Sequence, residues 1–301
     1  MEHTNLGPLR VSRVGLGCNN FGGRLDLAAT RRVVDAALDA GVSFFDTADI
    51  YGNRGGSERL LGELLQGRRD RVVLATKFGS EMGDGAVGGA PAYVAQAVAA
   101  SLQRMRTDHV DLLYHHFPDE ATPIADTVGA MSELVDAGKV RAIGLSNVTA
   151  DQLAEAAGTA EIAAVQNEYS LLVRDAEHDL LPACLELGVG FVPYFPLASG
   201  LLTGKYRPGE AVAGSRLGSV EEGAAVTRRA SASFATVERL RRFAEDAGHT
   251  LLELAIAGLA SRPGVVSVIA GSTKPEQVRA NAAAGDWHLS AGQLAALDTI
   301  A

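Results

Sequence analysis

The chain has 301 residues, 47% of them apolar and 21% charged, with a formal charge of −9. That balance excludes a disordered chain, and an acidic chain without a basic tract is a poor phosphate-backbone binder. No apolar run approaches the roughly 18 residues of a membrane span, so neither nucleic acid nor a membrane is an expected partner.

The first residues, Met1-Glu2-His3-Thr4-Asn5-Leu6, lack the basic start and apolar stretch of a signal peptide. Cys18 and Cys184 stand far apart with no CxxC, so no metal site is expected and both read as packing residues of a cytoplasmic protein. Only four of the 27 basic residues are lysine: Lys77, Lys139, Lys205 and Lys274.

Short apolar runs then alternate with helical patterns. The runs are Val14–Cys18, Val42–Phe45, Val72–Thr76, Val110–His115, Val140–Leu145, Ala163–Gln166, Val189–Pro193 and Val266–Ala270. Their length and β-branched content predict strands buried on both faces. Between the first two, Thr30–Ala40 carries Val33, Val34, Ala37 and Leu38 at helical spacing, and Gly41 suits the position just past the helix. Pro91, Pro123 and Pro275 sit at helix starts, where a missing N–H is harmless. Gly138 and Gly188 close helices before the next strand. Residues 199–229 form the longest stretch without periodicity, predicting a long loop between the seventh and eighth strands. The arginine pairs at 228–242 read as the solvated face of a helix.

Eight strands, each followed by a helix, predict an α/β fold: a (β/α)8 barrel forming one domain over 1–301. A doubly wound sheet would need a glycine-rich turn between the first strand and helix. The glycines of Gly15-Leu16-Gly17 fall inside the strand instead. Gly200-Leu201-Leu202-Thr203-Gly204-Lys205 is one residue short of a phosphate-binding P-loop and lacks its final Ser/Thr.

Barrel enzymes place reactive groups at the C-terminal ends of their strands. Here those ends read Asp46-Thr47-Ala48-Asp49-Ile50-Tyr51-Gly52, Thr76-Lys77-Phe78-Gly79 and His115-His116-Phe117-Pro118. Each residue alone has an ordinary structural reading: a turn cap, a packing aromatic, a surface lysine, a core histidine. Their joint placement at adjacent strand ends points to chemistry.

FFDTADIYG, ATKFG, DLLYHHFPD, IGLSN, VQNEYS and PYFPLASGLLTGKY resemble, in order, the motifs of the aldo-keto reductases. The resemblance runs from about Leu6 to Ala284. It implies a (β/α)8 barrel that uses a nicotinamide cofactor to reduce an aldehyde or ketone carbonyl of a small molecule. It assigns Tyr51 as the general acid, Lys77 and Asp46 as the pair that tunes it, and His116, rather than His115, as the carbonyl-orienting histidine. A nearby ammonium favours phenolate and is expected to lower the Tyr51 pKa from its usual value near 10.

The resemblance also assigns the cofactor site. Ser146, Asn147 and Gln166 would bond the nicotinamide carboxamide, and Tyr194 would stack on the ring. Pro196, Leu197, Gly200, Leu202 and Lys205 would follow the pyrophosphate. Gly271, Ser272, Thr273, Lys274, Gln277 and Asn281 would hold the adenosine end. Many members carry Lys in place of Gly271 and Arg in place of Gln277. Lys274 and Arg279 nonetheless favour NADP(H), with NAD(H) the alternative. Two other readings are a non-catalytic cofactor-binding regulatory barrel and a Schiff-base barrel lyase using Lys77. The identity of the substrate, the physiological direction and the oligomeric state are not legible, though Asn19, Asn20, Phe21, residues 81–91, Phe117 and 199–229 are candidate mouth residues. Trp287 reads as packing of the last helix rather than closure of the pocket.

Overall fold

A strand that is apolar on both faces must be covered on both, and the eight runs meet this need by pairing in parallel under a layer of helices. The computed structural model describes residues 1–83, 85, 87–206 and 223–300, with side chains of the last range from 234 onward. The chain opens with an antiparallel hairpin, β1 (His3–Leu6) and β2 (Leu9–Ser12). The parallel strands follow: β3 (Val14–Gly17), β4 (Phe44–Asp46), β5 (Val73–Phe78), β6 (Val110–His115), β7 (Val140–Ser146), β8 (Ile162–Gln166), β9 (Gly190–Phe191) and β10 (Val268–Gly271). Their spatial order is sequential, with β10 beside β3. The remaining seam closes where the Phe191 N–H donates to Gly264 O at 2.8 Å and the Val266 N–H to Phe191 O at 3.0 Å. The result is a (β/α)8-type barrel, and closure rules out an open doubly wound sheet.

The helices are α1 (Leu27–Asp39), α2 (Tyr51–Leu64), α3 (Pro91–Met105), α4 (Ile124–Asp136), α5 (Ala150–Ala157), α6 (Leu180–Leu187), α7 (Gly223–Asp246), α8 (Leu251–Ala260), α9 (Pro275–Ala284) and α10 (Ala291–Asp298). Pro91 and Pro275 each begin a helix, and Pro123 immediately precedes one. Gly41 and Gly138 take left-handed φ of 76° and 69° just past α1 and α4. Beyond each, the next N–H reaches back to the helix: Val42 to Ala37 O and Lys139 to Leu134 O, both at 2.9 Å. Val42 therefore belongs to the helix end, which is why the second strand begins only at Phe44.

The predicted long loop needs correction at both ends. Ala198–Thr203 winds into a short 3-10 helix, and α7 already begins at Gly223. Residues 207–222 of that stretch lie outside the described residues. Of the Arg241–Arg242 pair only Arg242 stands on the exposed face of α7, with Arg239, while Val237 and Leu240 lie on its buried face. The Arg241 side chain is only 12% exposed and pairs with Glu238, so the solvated-face reading fails for it. The side chains of the 228–229 pair lie outside the described residues.

The hairpin was not anticipated. Leu6, Leu9 and Val11 pack against Phe44, Leu112 and Tyr114 inside the barrel, so the hairpin plugs one end of it. The barrel interior mixes small and large residues. A Cβ on Gly144 would lie 2.6 Å from the Tyr114 ring, so that ring fits only because position 144 lacks a side chain. With every strand parallel, one rim collects all the C-terminal strand ends.

Candidate active site

Asp46 ends β4, and Lys77 lies on the adjacent strand β5. Lys77 is fully buried; its ammonium donates to Asp46 Oδ1 and, at 2.9 Å, to Thr47 O. The other Asp46 oxygen accepts from Gln166 Nε2 at 2.9 Å. Burial works against the Lys77 charge, but the Asp46 carboxylate outweighs it and holds the lysine above its ordinary pKa.

Tyr51 opens α2 and is followed by a left-handed turn, with φ of 68° at Gly52, 59° at Asn53, 60° at Arg54 and 92° at Gly55. Such values cost energy at Asn53 and Arg54, so surrounding contacts must impose them. At Gly52 a Cβ would come within 2.3 Å of Phe21 O. The turn brings the Tyr51 ring centroid to 5.2 Å from Lys77 Nζ. The His116 ring meets it edge-on, with centroids 5.8 Å apart and planes at 82°. The structure thus gathers Asp46, Tyr51, Lys77 and His116 at one rim.

Two details differ from expectation or sharpen it. Burial raises the Tyr51 pKa, and although Lys77 pulls it down, burial wins. The phenol therefore sits above its ordinary value, not below it, and is fully protonated at neutral pH. His116 is pushed to about 3 by burial, Lys77 and His115, so its ring is neutral. Ser80 Oγ lies 3.4 Å from its Nδ1. His115 turns away, stacks on Phe78 at 5.2 Å and keeps two buried nitrogens without partners; burial lowers it to about 4.

Beside Asp46 lies a strip of amide and phenol groups. Ser146 Oγ donates to Gln166 O at 2.8 Å, Asn147 Nδ2 to His116 O at 2.9 Å, and Tyr194 Oη to Asn147 Oδ1 at 2.7 Å. Asn147 holds φ at 58°, which aims its amide into this strip. Next along the rim come Pro196, Leu197, Gly200, Leu202 and Lys205. Pro196 and Leu202 are buried, so these two can offer a ligand only backbone. Lys205 is exposed, with Nζ 4.9 Å from the Tyr206 ring centroid. At the end of β10, Gly271 is bare: a Cβ there would meet Asn19 Oδ1 at 3.2 Å. Asn281 Nδ2 donates to Ser272 Oγ at 3.2 Å, and Gln277 Oε1 accepts from the Thr273 N–H at 2.8 Å. Lys274 caps α9 through its backbone and leaves its ammonium exposed. Amides at one end of the strip, with a helix N-terminus and two exposed lysines at the other, suit a dinucleotide.

The Aldo/keto reductase family model matches residues 13–301. The chain belongs to the aldo/keto reductase family. This aldo/keto reductase is 36% identical over 302 residues to a probable voltage-gated potassium channel subunit beta of Arabidopsis thaliana, covering 95% of this chain and 92% of that one. It superposes at a TM-score of 0.85 on aldo-keto reductase AKR11C1 from Bacillus halodurans, with 31% identity and coverage of 100% and 96%. Glycerol dehydrogenase AKR11B4 from Gluconobacter oxydans gives the same TM-score, with 27% identity and coverage of 99% and 94%. The chain is thus an oxidoreductase of a family that acts on small molecules and usually uses NADP(H). Among the described residues no helix is long and apolar enough to cross a membrane.

Other residues of this aldo/keto reductase fall outside the roles read from sequence. Asn20 is buried, donating to Ser272 O at 3.3 Å, and Phe21 is fully buried in the core, so neither lines the mouth. Phe117 does stand out, at 51% exposed. Trp287 stacks on His249 at 3.8 Å and packs on the core. Sequence reasoning missed the Gln166–Asp46 bond, which spans 120 residues of chain. It also missed the rung in which Thr47 Oγ1 donates to Ser57 Oγ at 2.7 Å, which donates to Cys18 O at 2.9 Å. No local pattern signals either one. Asp49 is buried two residues before Tyr51; its place inside FFDTADIYG was the available signal.

Proposed function

We propose that this aldo/keto reductase reduces an aldehyde or ketone to the alcohol with NAD(P)H, with Tyr51 as general acid. The observation that carries this reading is the buried Lys77 ammonium, paired with Asp46 and 5.2 Å from the Tyr51 ring centroid. A bound nicotinamide would supply hydride to the carbonyl carbon. Tyr51, protonated at neutral pH, donates its O–H proton to the carbonyl oxygen. Lys77 stabilises the phenolate that develops, and Asp46, itself held by Gln166, keeps Lys77 charged and in place. Neutral His116 offers ring N–H to the same oxygen and sets the carbonyl's direction.

Ser146, Asn147 and Gln166 would bond the carboxamide and Tyr194 would stack on the ring. Lys205 and Lys274 are the cations for the phosphates, and Lys274 at the α9 N-terminus favours NADP(H) over NAD(H). Lys77 held protonated and ion-paired is a poor nucleophile, which argues against Schiff-base chemistry. A regulatory cofactor-binding barrel is the second reading, favoured by the likeness to a relative named as a channel subunit.

The test is Tyr51→Phe, assayed by loss of reduced cofactor over a panel of aldehydes, ketones and sugars. Turnover should fall by about 10²–10⁴, while NADPH binding, read by fluorescence titration, stays at the wild-type level. Wild-type turnover in the variant would remove the general-acid role. Tight cofactor binding with no turnover of any carbonyl by the wild type would favour the regulatory reading.

A further inference from the structure

The His116 ring is held in place from several directions. Its backbone N–H donates to Phe78 O and its carbonyl accepts from Asn147 Nδ2, each at 2.9 Å. Phe117 stacks on the ring with centroids 4.6 Å apart, and the Tyr51 ring meets it edge-on. Such contacts set the plane of an imidazole but not which of its two nitrogens carries the proton. Burial, Lys77 and His115 keep the ring neutral, and a neutral imidazole donates from one nitrogen and accepts at the other. Among the described residues, the one hydrogen-bond partner of either nitrogen is Ser80 Oγ, 3.4 Å from Nδ1. Nε2 has no partner among them, yet unlike the two nitrogens of His115 it is not sealed from solvent.

Ser80 reaches His116 through a turn that suits glycine. Gly79, just past β5, holds φ at 110°, and a Cβ on it would lie 3.1 Å from His115 Cδ2. The chain thus slips past the His115 ring and delivers Ser80, half-buried, beside His116. Three bonds hold this segment. Tyr93 Oη, on α3, donates to Ser80 O at 3.3 Å, and the Gly88 N–H donates to Gly79 O at 2.9 Å. Glu81 pairs at 2.8 Å with Arg54, in the turn that follows Tyr51.

The two tautomers differ in what each end of the ring can do. A carbonyl oxygen offers only lone pairs, so it bonds Nε2 only when Nε2 carries the proton. Nδ1 is then a bare lone pair, and the rotatable Ser80 hydroxyl can donate to it. In the other tautomer Nδ1 donates to Ser80 Oγ, and the Nε2 lone pair would face the lone pairs of the carbonyl. Among the described residues Ser80 Oγ has no further partner, so Nδ1 is the one acceptor there for its proton. An imidazole nitrogen is also a stronger acceptor than a serine oxygen. We infer that the Ser80 hydroxyl donates to His116 Nδ1 and so fixes the Nε2–H tautomer, making Ser80 a positioning residue for the substrate carbonyl. The positioning role rests on His116 as the carbonyl-orienting group proposed above; the tautomer does not.

The experiment has two arms on the whole enzyme. In the first, the histidine ring nitrogens are isotope-labelled and followed by NMR at neutral pH, with the His116 signals assigned by their loss in His116→Gln. Wild type should show Nδ1 bare and Nε2 protonated. Ser80→Ala should move the two signals towards a mixture of tautomers, and Ser80→Thr, which keeps the hydroxyl, should return them to the wild-type pattern. In the second arm, kcat/KM for one aldehyde with NADPH should fall by about 3–10-fold in Ser80→Ala, the range of one neutral hydrogen bond. Ser80→Thr should recover most of that loss, and NADPH affinity should stay at the wild-type level in both variants. A proton on Nδ1 in the wild type, or the wild-type pattern kept in Ser80→Ala, would overturn the bond. A mixture of tautomers in Ser80→Ala with wild-type kcat/KM would overturn the positioning role. If the wild type turns over no carbonyl, the reductase reading fails, and the NMR arm still decides the tautomer.

Discussion

Lys77→Met is the sharpest test of how the buried pair contributes to the site. The substitution keeps the length and volume of the side chain but removes the ammonium, leaving the Asp46 carboxylate buried with Gln166 Nε2 as its donor at 2.9 Å. Breaking a buried ion pair from one side costs about 3–5 kcal/mol because the stranded charge loses its compensation. The surviving Gln166 bond places the loss in the lower half, about 3–4 kcal/mol. Asp46→Leu strands the ammonium instead and should cost a similar amount. The double variant strands neither charge. It leaves Gln166 Nε2 and Thr47 O without these partners and removes the ammonium from beside Tyr51, and should lie within about 1–2 kcal/mol of wild type. Urea unfolding of all four proteins at neutral pH completes the cycle. Turnover should be lost in all three variants, which separates the stability of the pair from its chemistry. Losses that simply add in the double variant would refute the view of Asp46 and Lys77 as one coupled unit.

The remaining predictions can be checked with simple variants. Tyr51→Phe should lose turnover by about 10²–10⁴ and keep cofactor binding, as set out above. His115 is buried with two unpartnered nitrogens, and its pKa in the fold is lowered from 6.5 to about 4. The unfolded chain therefore takes up the proton first, and stability falls as pH drops from 6.5 towards 4. His115→Phe keeps the stack on Phe78 and removes that titration. It should spare roughly 2–3 kcal/mol of the loss between pH 7 and 4.5, read from urea midpoints across that range. An unchanged acid limb would show that His115 is not the group responsible. Gly144→Ala would push a Cβ to 2.6 Å from the Tyr114 ring and 2.8 Å from Ala164 O. A cost of about 1–3 kcal/mol is expected, seen as a lower Tm with the barrel otherwise intact.

Much of this architecture was legible because it is local. A helix end is signalled by the glycine that must turn left-handed after it, as at Gly41 and Gly138. A barrel strand is signalled by a short run apolar on both faces. The limits were equally physical. Val42 looks like a strand residue and is claimed by the end of α1. The opening hairpin has ordinary strand spacing, but its role as a plug depends on the open barrel end it meets. Asn20 and Phe21 follow a rim strand, yet packing against Ser272 and the core takes them out of the mouth.

By itself, then, the sequence determined the succession of strands and helices, the barrel class, and which residues arrive at the rim formed by the C-terminal strand ends. Its scarce lysines also marked the buried Lys77 and the exposed Lys205 and Lys274. Tertiary structure alone decided how those rim residues behave. Whether a phenol is made more or less acidic depends on how far burial outweighs a neighbouring ammonium, and here burial wins at Tyr51. Whether a carboxylate is held depends on donors brought from far along the chain, as Gln166 is to Asp46. Whether an acid stays protonated depends first on how far it is buried from water, as at Asp49, which burial pushes up to about 7. Desolvation and charge compensation are properties of what surrounds a group, and only the closed barrel supplies those surroundings.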